Sequence, residues 1–121
     1  MSDLLTGEII GAAIEVHKTL GRGLLESIYE EALCYELELR EIKFQRQLDI
    51  DVIYKGRVLG SQKIDLLVGD EVIVKIESQP KSLGNSTPQV VSTLKAAGLQ
   101  RALIFNFGAN RLIDGTTRIV I

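Results

Sequence analysis

One cysteine, one histidine and no tryptophan occur in 121 residues. Cys34 alone cannot close an internal disulfide, which fits a reducing compartment. With His17 as its only companion, it cannot build a zinc cluster either. Three Tyr and three Phe leave few platforms on which bases could stack, so packing must rest on Leu, Ile, Val and Ala. No stretch approaches the roughly 18 apolar residues needed to span a bilayer. Met1 to Leu20 carries Asp3, Glu8 and Glu15 and does not read as a signal peptide. Internal repeats, low-complexity runs and linkers are also missing. A cytoplasmic protein with no membrane partner is the expectation.

What is present is enough apolar material, 45% of the chain, for one core and a single domain over residues 1–121. The net charge of −2 hides an asymmetry. Residues 1–42 hold nine acids and three bases, whereas residues 43–121 hold eleven bases and seven acids. A polyanion would be steered toward the second part, although an ordinary solvated surface has the same composition.

The first third reads as two helices. Leu5, Ile9, Ala12, Ala13, Val16 and Leu20 recur at helical spacing, with Gly21 as the stop. A second helix is predicted from Leu25 to Leu39, with Ile28, Ala32, Leu33, Tyr35 and Leu39 among its apolar positions and glutamates outside. The middle third changes period. Phe44 to Gln47, Ile50 to Tyr54, Arg57 to Leu59, Lys63 to Val68 and Val72 to Glu77 read as strand segments, with turns at Lys55-Gly56 and Gly69-Asp70. Ser78 to Ser86 reads as a loop. A third helix starts with Thr87 as N-cap and Pro88 at its first position and ends before Gly98. Ala102 to Phe107 reads as a buried strand, and Arg111 to Ile121 as a closing hairpin around Asp114-Gly115. The order α-α-β-β-β-β-α-β-β describes an α/β (α+β) domain, a mixed sheet flanked by helices.

The segment from Lys63 to Glu77 is the most informative. Alternation puts Ile64, Leu66 and Val68 on one face of the first strand and Asp65 with Leu67 on the other; on the second strand Val72, Val74 and Ile76 oppose Ile73, Lys75 and Glu77. Joining the two apolar sets pairs Val68 with Val72 across the loop Gly69-Asp70-Glu71. Asp65 then lies across from Lys75, with Glu77 two residues along on the same face. Mg²⁺ takes hard oxygen ligands, commonly one or two carboxylates, and a nearby lysine can position water or offset charge on a phosphate. A solvated polar face with a cross-strand ion pair is the simpler reading of the same spacing.

Gly23-Leu24-Leu25-Glu26-Ser27-Ile28-Tyr29 resembles the defining motif of the bacterial and archaeal GxxExxY proteins, a group within the PD-(D/E)XK nuclease superfamily. Ile10 to Lys18, Glu30-Glu31-Ala32-Leu33, Tyr54-Lys55-Gly56, Ile64 to Val68, Gln89, Leu94-Lys95 and Asn106-Phe107 are similar to the family in the same order. The resemblance implies a restriction-endonuclease-like fold and a Mg²⁺-dependent hydrolase, with Mn²⁺ as substitute, that cuts nucleic acid, DNA rather than RNA. It implies Asp65 and Glu77 as metal ligands and Glu26 as a further ligand or catalytic group. Lys75 becomes the water-positioning amine and Gln89 the helix glutamine of the site. Two features depart from the pattern. The family's Glu-x-Lys pair is inverted here, with Lys75 where a glutamate stands and Glu77 where the lysine stands, and Thr93 occupies a tyrosine position. The alternative implied by those departures is an inactive nuclease fold that binds nucleic acid or a protein partner.

The other candidates have plainer readings. Without the motif Glu26 would be one solvated glutamate among many. His17 reads as packing or capping, Tyr29 as core, Cys34 as a small buried hydrophobe, and Gly21 and Gly23 as turn glycines. Sheet edges and the apolar end Ile119-Val120-Ile121 would suit a homodimer.

Overall fold

The computed structural model of the protein describes residues 4–79 and 86–121. Most of the expected loop between Ser78 and Ser86 therefore falls outside the described residues. Helix α1 (Leu4–Leu20) buries Ile9, Ala12, Ala13 and Val16. It stops at Gly21, whose φ of 73° suits glycine and whose N–H donates to His17 O at 2.8 Å. Helix α2 (Glu26–Leu39) follows.

Five strands form one sheet in the order β1-β2-β3-β4-β5: β1 (Phe44–Tyr54), β2 (Arg57–Val68), β3 (Val72–Glu77), β4 (Arg101–Asn106) and β5 (Thr116–Val120). Helix α3 (Thr87–Ala97) makes the crossover between β3 and β4, the one parallel pair, and the remaining neighbours are antiparallel. The domain is thus an α/β mixed sheet flanked by helices, with an element order similar to the restriction-endonuclease-like fold.

Two expectations about strands are corrected. The four segments expected between Phe44 and Val68 are two long strands, and among the described residues three strands precede α3 where the expected order had four. Asp49 and the Gly60-Ser61-Gln62 stretch looked like breaks because such residues disfavour strands. Here each lies opposite a ladder partner, and Asp49 faces Lys63 at 3.2 Å. The predicted hairpin around Asp114-Gly115 is instead a 3₁₀ turn, Leu112–Gly115, feeding β5, which pairs with β4. The turn glycine is enforced by packing, since a Cβ on Gly115 would overlap Asn106 O.

The sheet separates two apolar layers. On one side Leu66, Val68, Val72, Val74, Ile76, Leu103 and Phe105 meet α1 and α2. On the other, Ile73, Ala102, Ile104 and Ile119 meet Val90 and Leu94 of α3. Helix α2 buries only part of the apolar pattern expected of it. Tyr29, Leu33, Cys34 and Leu37 face the core, whereas Ile28, Tyr35 and Leu39 are exposed. The helix carries two apolar stripes, and sequence periodicity alone could not choose between them.

Candidate functional site

The β2–β3 hairpin has the expected register, Val68↔Val72 through Leu66↔Val74. Gly69 and Asp70 both have positive φ, and Glu71 N–H donates to Val68 O at 3.1 Å, a tight turn that fixes the pairing. Beyond Leu66↔Val74 the ladder ends, so Asp65 and Lys75 lie where the strands part. The same place is disturbed on the other side. Gln47 of β1 adopts φ 53°, and the Gln47–Asp65 pair is skipped in the β1–β2 ladder. This kink coincides with a change of face. Ile64 packs on the α3 side with Ile73, although Leu66, two residues on, faces α1 and α2.

Glu30 of α2, buried at 8% exposure, is bonded to that kink. Its carboxylate accepts from Gln47 Nε2 at 2.9 Å and from Arg46 at 2.8 and 3.1 Å. Arg46 also pairs with Glu31 at 2.8 Å, and these bonds to Glu31 and Glu30 hold its pKa above the usual range. A buried carboxylate needs such partners. Glu30 therefore couples α2 to the irregular part of the sheet beside Asp65.

The gap between the parted strands and α3 is a cleft of about 30 Å³ lined by Lys63, Asp65, Lys75, Gln89 and Thr93 with apolar neighbours. That is room for one or two waters. The structure thus brings together Asp65, Lys75 and Gln89 from three elements. Asp65 is engaged by backbone: Ile76 N–H donates to Oδ2 at 2.9 Å, the carboxylate standing in for a ladder carbonyl. Thr93, at the position of the family tyrosine, donates to Gln62 on β2 and, at 2.9 Å, accompanies Gln89 O. Its hydroxyl fastens α3 to the long hairpin.

Glu77 and Glu26 do not line this cleft. The Glu77 carboxylate accepts a hydrogen bond from Ser86 Oγ, and Glu77 pairs with Asn106 on β4. Ser86, one residue before the predicted cap Thr87, is the N-cap of α3, and its hydroxyl goes to Glu77 rather than to the helix. Glu26 is exposed in the first turn of α2. Among the described residues no three His, Cys, Asp or Glu side chains converge on a metal position. The cleft holds one carboxylate, Asp65, and the Gln89 side chain beside Lys75.

The Gly23…Glu26…Tyr29 motif is largely architectural. Tyr29 is fully buried and stacks on Phe107, ring centroids 4.4 Å apart. Its hydroxyl donates to Gly21 O at 2.5 Å and accepts from Leu24 N–H at 3.2 Å, bracing the loop between α1 and α2. Gly23 has φ 99°, a conformation that favours glycine. His17 Nε2 lies 3.2 Å from Phe107 O and 3.0 Å from Ala109 O, so its N–H ties α1 to the segment after β4. Cys34 is buried, and desolvation raises its thiol to about 11.

Sequence reasoning noted Asn106 only as a family-like position and missed Gly108. Asn106 Oδ1 accepts from Gln79 N–H at 3.1 Å and Gly108 N–H at 2.9 Å, holding the chain after β3 against the chain after β4. A Cβ on Gly108 would overlap the Gln79 backbone. Arg22 closes the same corner by donating to Gly108 O at 2.9 Å. Only long-range contacts disclose these roles.

No helix among the described residues is long and apolar enough to cross a membrane. No curated protein and no solved structure matches the chain. The family model of the PD-(D/E)XK nuclease superfamily matches residues 3–119, and with coverage of nearly its whole length the chain belongs to that superfamily.

Proposed function

We propose that this protein is a catalytically inactive nuclease fold that binds nucleic acid, DNA in preference to RNA, at the α3-side cleft. The observation that carries this reading is the split of the site. Asp65, Lys75 and Gln89 share the cleft, while Glu77 is turned to Ser86 and Glu26 lies outside. The Lys75 side chain beside a single carboxylate, Asp65, suits a phosphate oxygen better than a divalent cation. The excess of bases in residues 43–121 supports the same partner.

The test is fluorescence anisotropy with single- and double-stranded DNA and RNA over a salt series, with EDTA or Mn²⁺, run beside a cleavage assay. Expected are binding that weakens with salt, indifference to chelator, loss of affinity in Lys75→Ala, and intact substrate. The absence of any salt-sensitive binding refutes the reading.

A second reading, a Mg²⁺-dependent nuclease, is favoured by one observation: three family positions, Asp65, Lys75 and Gln89, do converge. It requires the Glu77 carboxylate to leave Ser86 and turn into the cleft. Cleavage in Mg²⁺ or Mn²⁺ that Asp65→Ala abolishes would establish it. A homodimer through the exposed Val120 and Ile121 at the β5 edge is a separate proposal, tested by sedimentation of Val120→Lys.

A further inference from the structure

The second apolar stripe of α2 is left largely uncovered: its Ala32 packs against the core, but its four large side chains are exposed. Leu25, Ile28, Tyr35 and Leu39 are 73, 46, 62 and 61% exposed, with Ala32 between them half-buried. Their spacing of three, four, three and four residues is that of a heptad seam, placing all five within an arc of about 80°. A helix paired only with its own core needs one apolar face, and this one has two. A continuous apolar ridge of four turns is a docking surface rather than scattered exposure.

The charges beside the ridge select the occupant. With Leu25, Ala32 and Leu39 as one set of seam positions and Ile28 and Tyr35 as the other, Glu38 and Glu31, the latter paired with Arg46 at 2.8 Å, fall on one flank. Glu36, paired with Arg40 at 2.8 Å, falls on the other. A second copy docked antiparallel would set Glu31 and Glu38 against Glu38 and Glu31, and a parallel copy would set them against Glu36; either arrangement opposes like charges. Nucleic acid and anionic bilayers are disfavoured by the same glutamates, in a segment where acids outnumber bases nine to three.

We infer that the α2 ridge docks an amphipathic helix of a protein partner, one with an apolar seam flanked by Lys and Arg. Helix α2 covers the face of the sheet opposite α3, so the partner engages without entering the cleft. The inference stands independently of the nucleic-acid reading.

The probe is a labelled three-heptad peptide with Leu at the seam, Lys on the flanks and Ala or Gln elsewhere. Two control peptides accompany it, one with the composition scrambled and one with Glu replacing Lys. Anisotropy is measured against the native chain, Ile28→Ser/Tyr35→Ser and Glu38→Gln, each checked for folding by circular dichroism and urea. The lysine peptide is expected to bind and both controls to fail. The seam variant is expected to lose about tenfold or more in affinity, and the glutamine variant to bind more weakly with a shallower salt dependence. No binding of the lysine peptide, equal binding of the scrambled peptide, or unchanged affinity in the seam variant overturns the inference. So does a native dimer, seen by sedimentation, that the seam variant dissociates, because the occupant is then a second copy.

Discussion

Replacing Tyr29 by Phe removes one oxygen and leaves the stacked ring on Phe107 in place, so it isolates the brace from the core. The hydroxyl makes two bonds, to Gly21 O at 2.5 Å and from Leu24 N–H at 3.2 Å. A typical intramolecular hydrogen bond contributes about 1 kcal/mol net. Gly21 is half-buried and Leu24 exposed, so water can reach the groups left behind and the cost of stranding them is reduced. The expected loss is about 1–2 kcal/mol, a urea midpoint shift of roughly 0.5–1 M for a slope near 2 kcal/mol/M. Tyr29→Ala also deletes the fully buried ring, and is expected to cost about 3–5 kcal/mol.

Equilibrium urea unfolding followed by circular dichroism measures both variants. Amide hydrogen exchange supplies the local readout, because Leu24 N–H is bonded to the missing hydroxyl and is expected to exchange faster in Tyr29→Phe while β3 and β4 stay protected. A Tyr29→Phe chain within 0.5 kcal/mol of the native one, with unaltered exchange at Leu24, would refute the idea that the motif tyrosine braces the loop leading to Glu26.

Gly108→Ala forces its new methyl into the Gln79 backbone; a loss of about 1–3 kcal/mol is expected, and unfolding unchanged from the native chain would contradict the packing described. The buried Cys34 thiol, raised from 9.0 to about 11, holds its proton more tightly folded than unfolded. Its contribution is therefore present below the unfolded pKa and lost as pH climbs from about 9 to 11, a total of roughly 2–3 kcal/mol. The difference in unfolding free energy between native and Cys34→Ala should shrink over that range, and a flat difference argues against the shift. Exchanging both residues, Lys75→Glu with Glu77→Lys, puts a second carboxylate in the cleft beside Asp65. Calorimetry is expected to register tighter Mn²⁺ binding than in the native chain, and no gain would mean that the cleft is not a displaced metal centre.

Much of the fold is written in local patterns. Gly21, Gly69-Asp70 and Gly98 mark ends and turns because they adopt backbone conformations that other residues avoid, and the structure finds positive φ at each. The Val68↔Val72 register followed from the two apolar faces alone. Strand continuity was less legible. Asp49 and Gly60 belong to strands only because Lys63 and Val52 stand opposite them, information carried by the partner strand rather than by their own neighbours. The inner face of α2 was ambiguous for a similar reason: Tyr29, Leu33 and Leu37 and the stripe of Ile28, Tyr35 and Leu39 have equally good helical periods, and tertiary packing decides which is covered.

The site divides along the same line. That Asp65 and Lys75 lie near each other follows from register, but what they do there depends on the strands parting after Leu66↔Val74. The parting frees Ile76 N–H, and Asp65 is drawn to it. It also lets α3 contribute Gln89 and Thr93 to the cleft. Period-two alternation puts Lys75 and Glu77 on one face, yet the wall they share is not uniform. Lys75 lines the cleft, whereas Glu77, one pleat further along, meets Ser86 at the start of α3. The inversion of the Glu-x-Lys pair thus has a physical consequence that its spelling alone could not disclose. The position with access to Asp65 carries the ammonium, and the carboxylate is held by a hydroxyl at the helix entry.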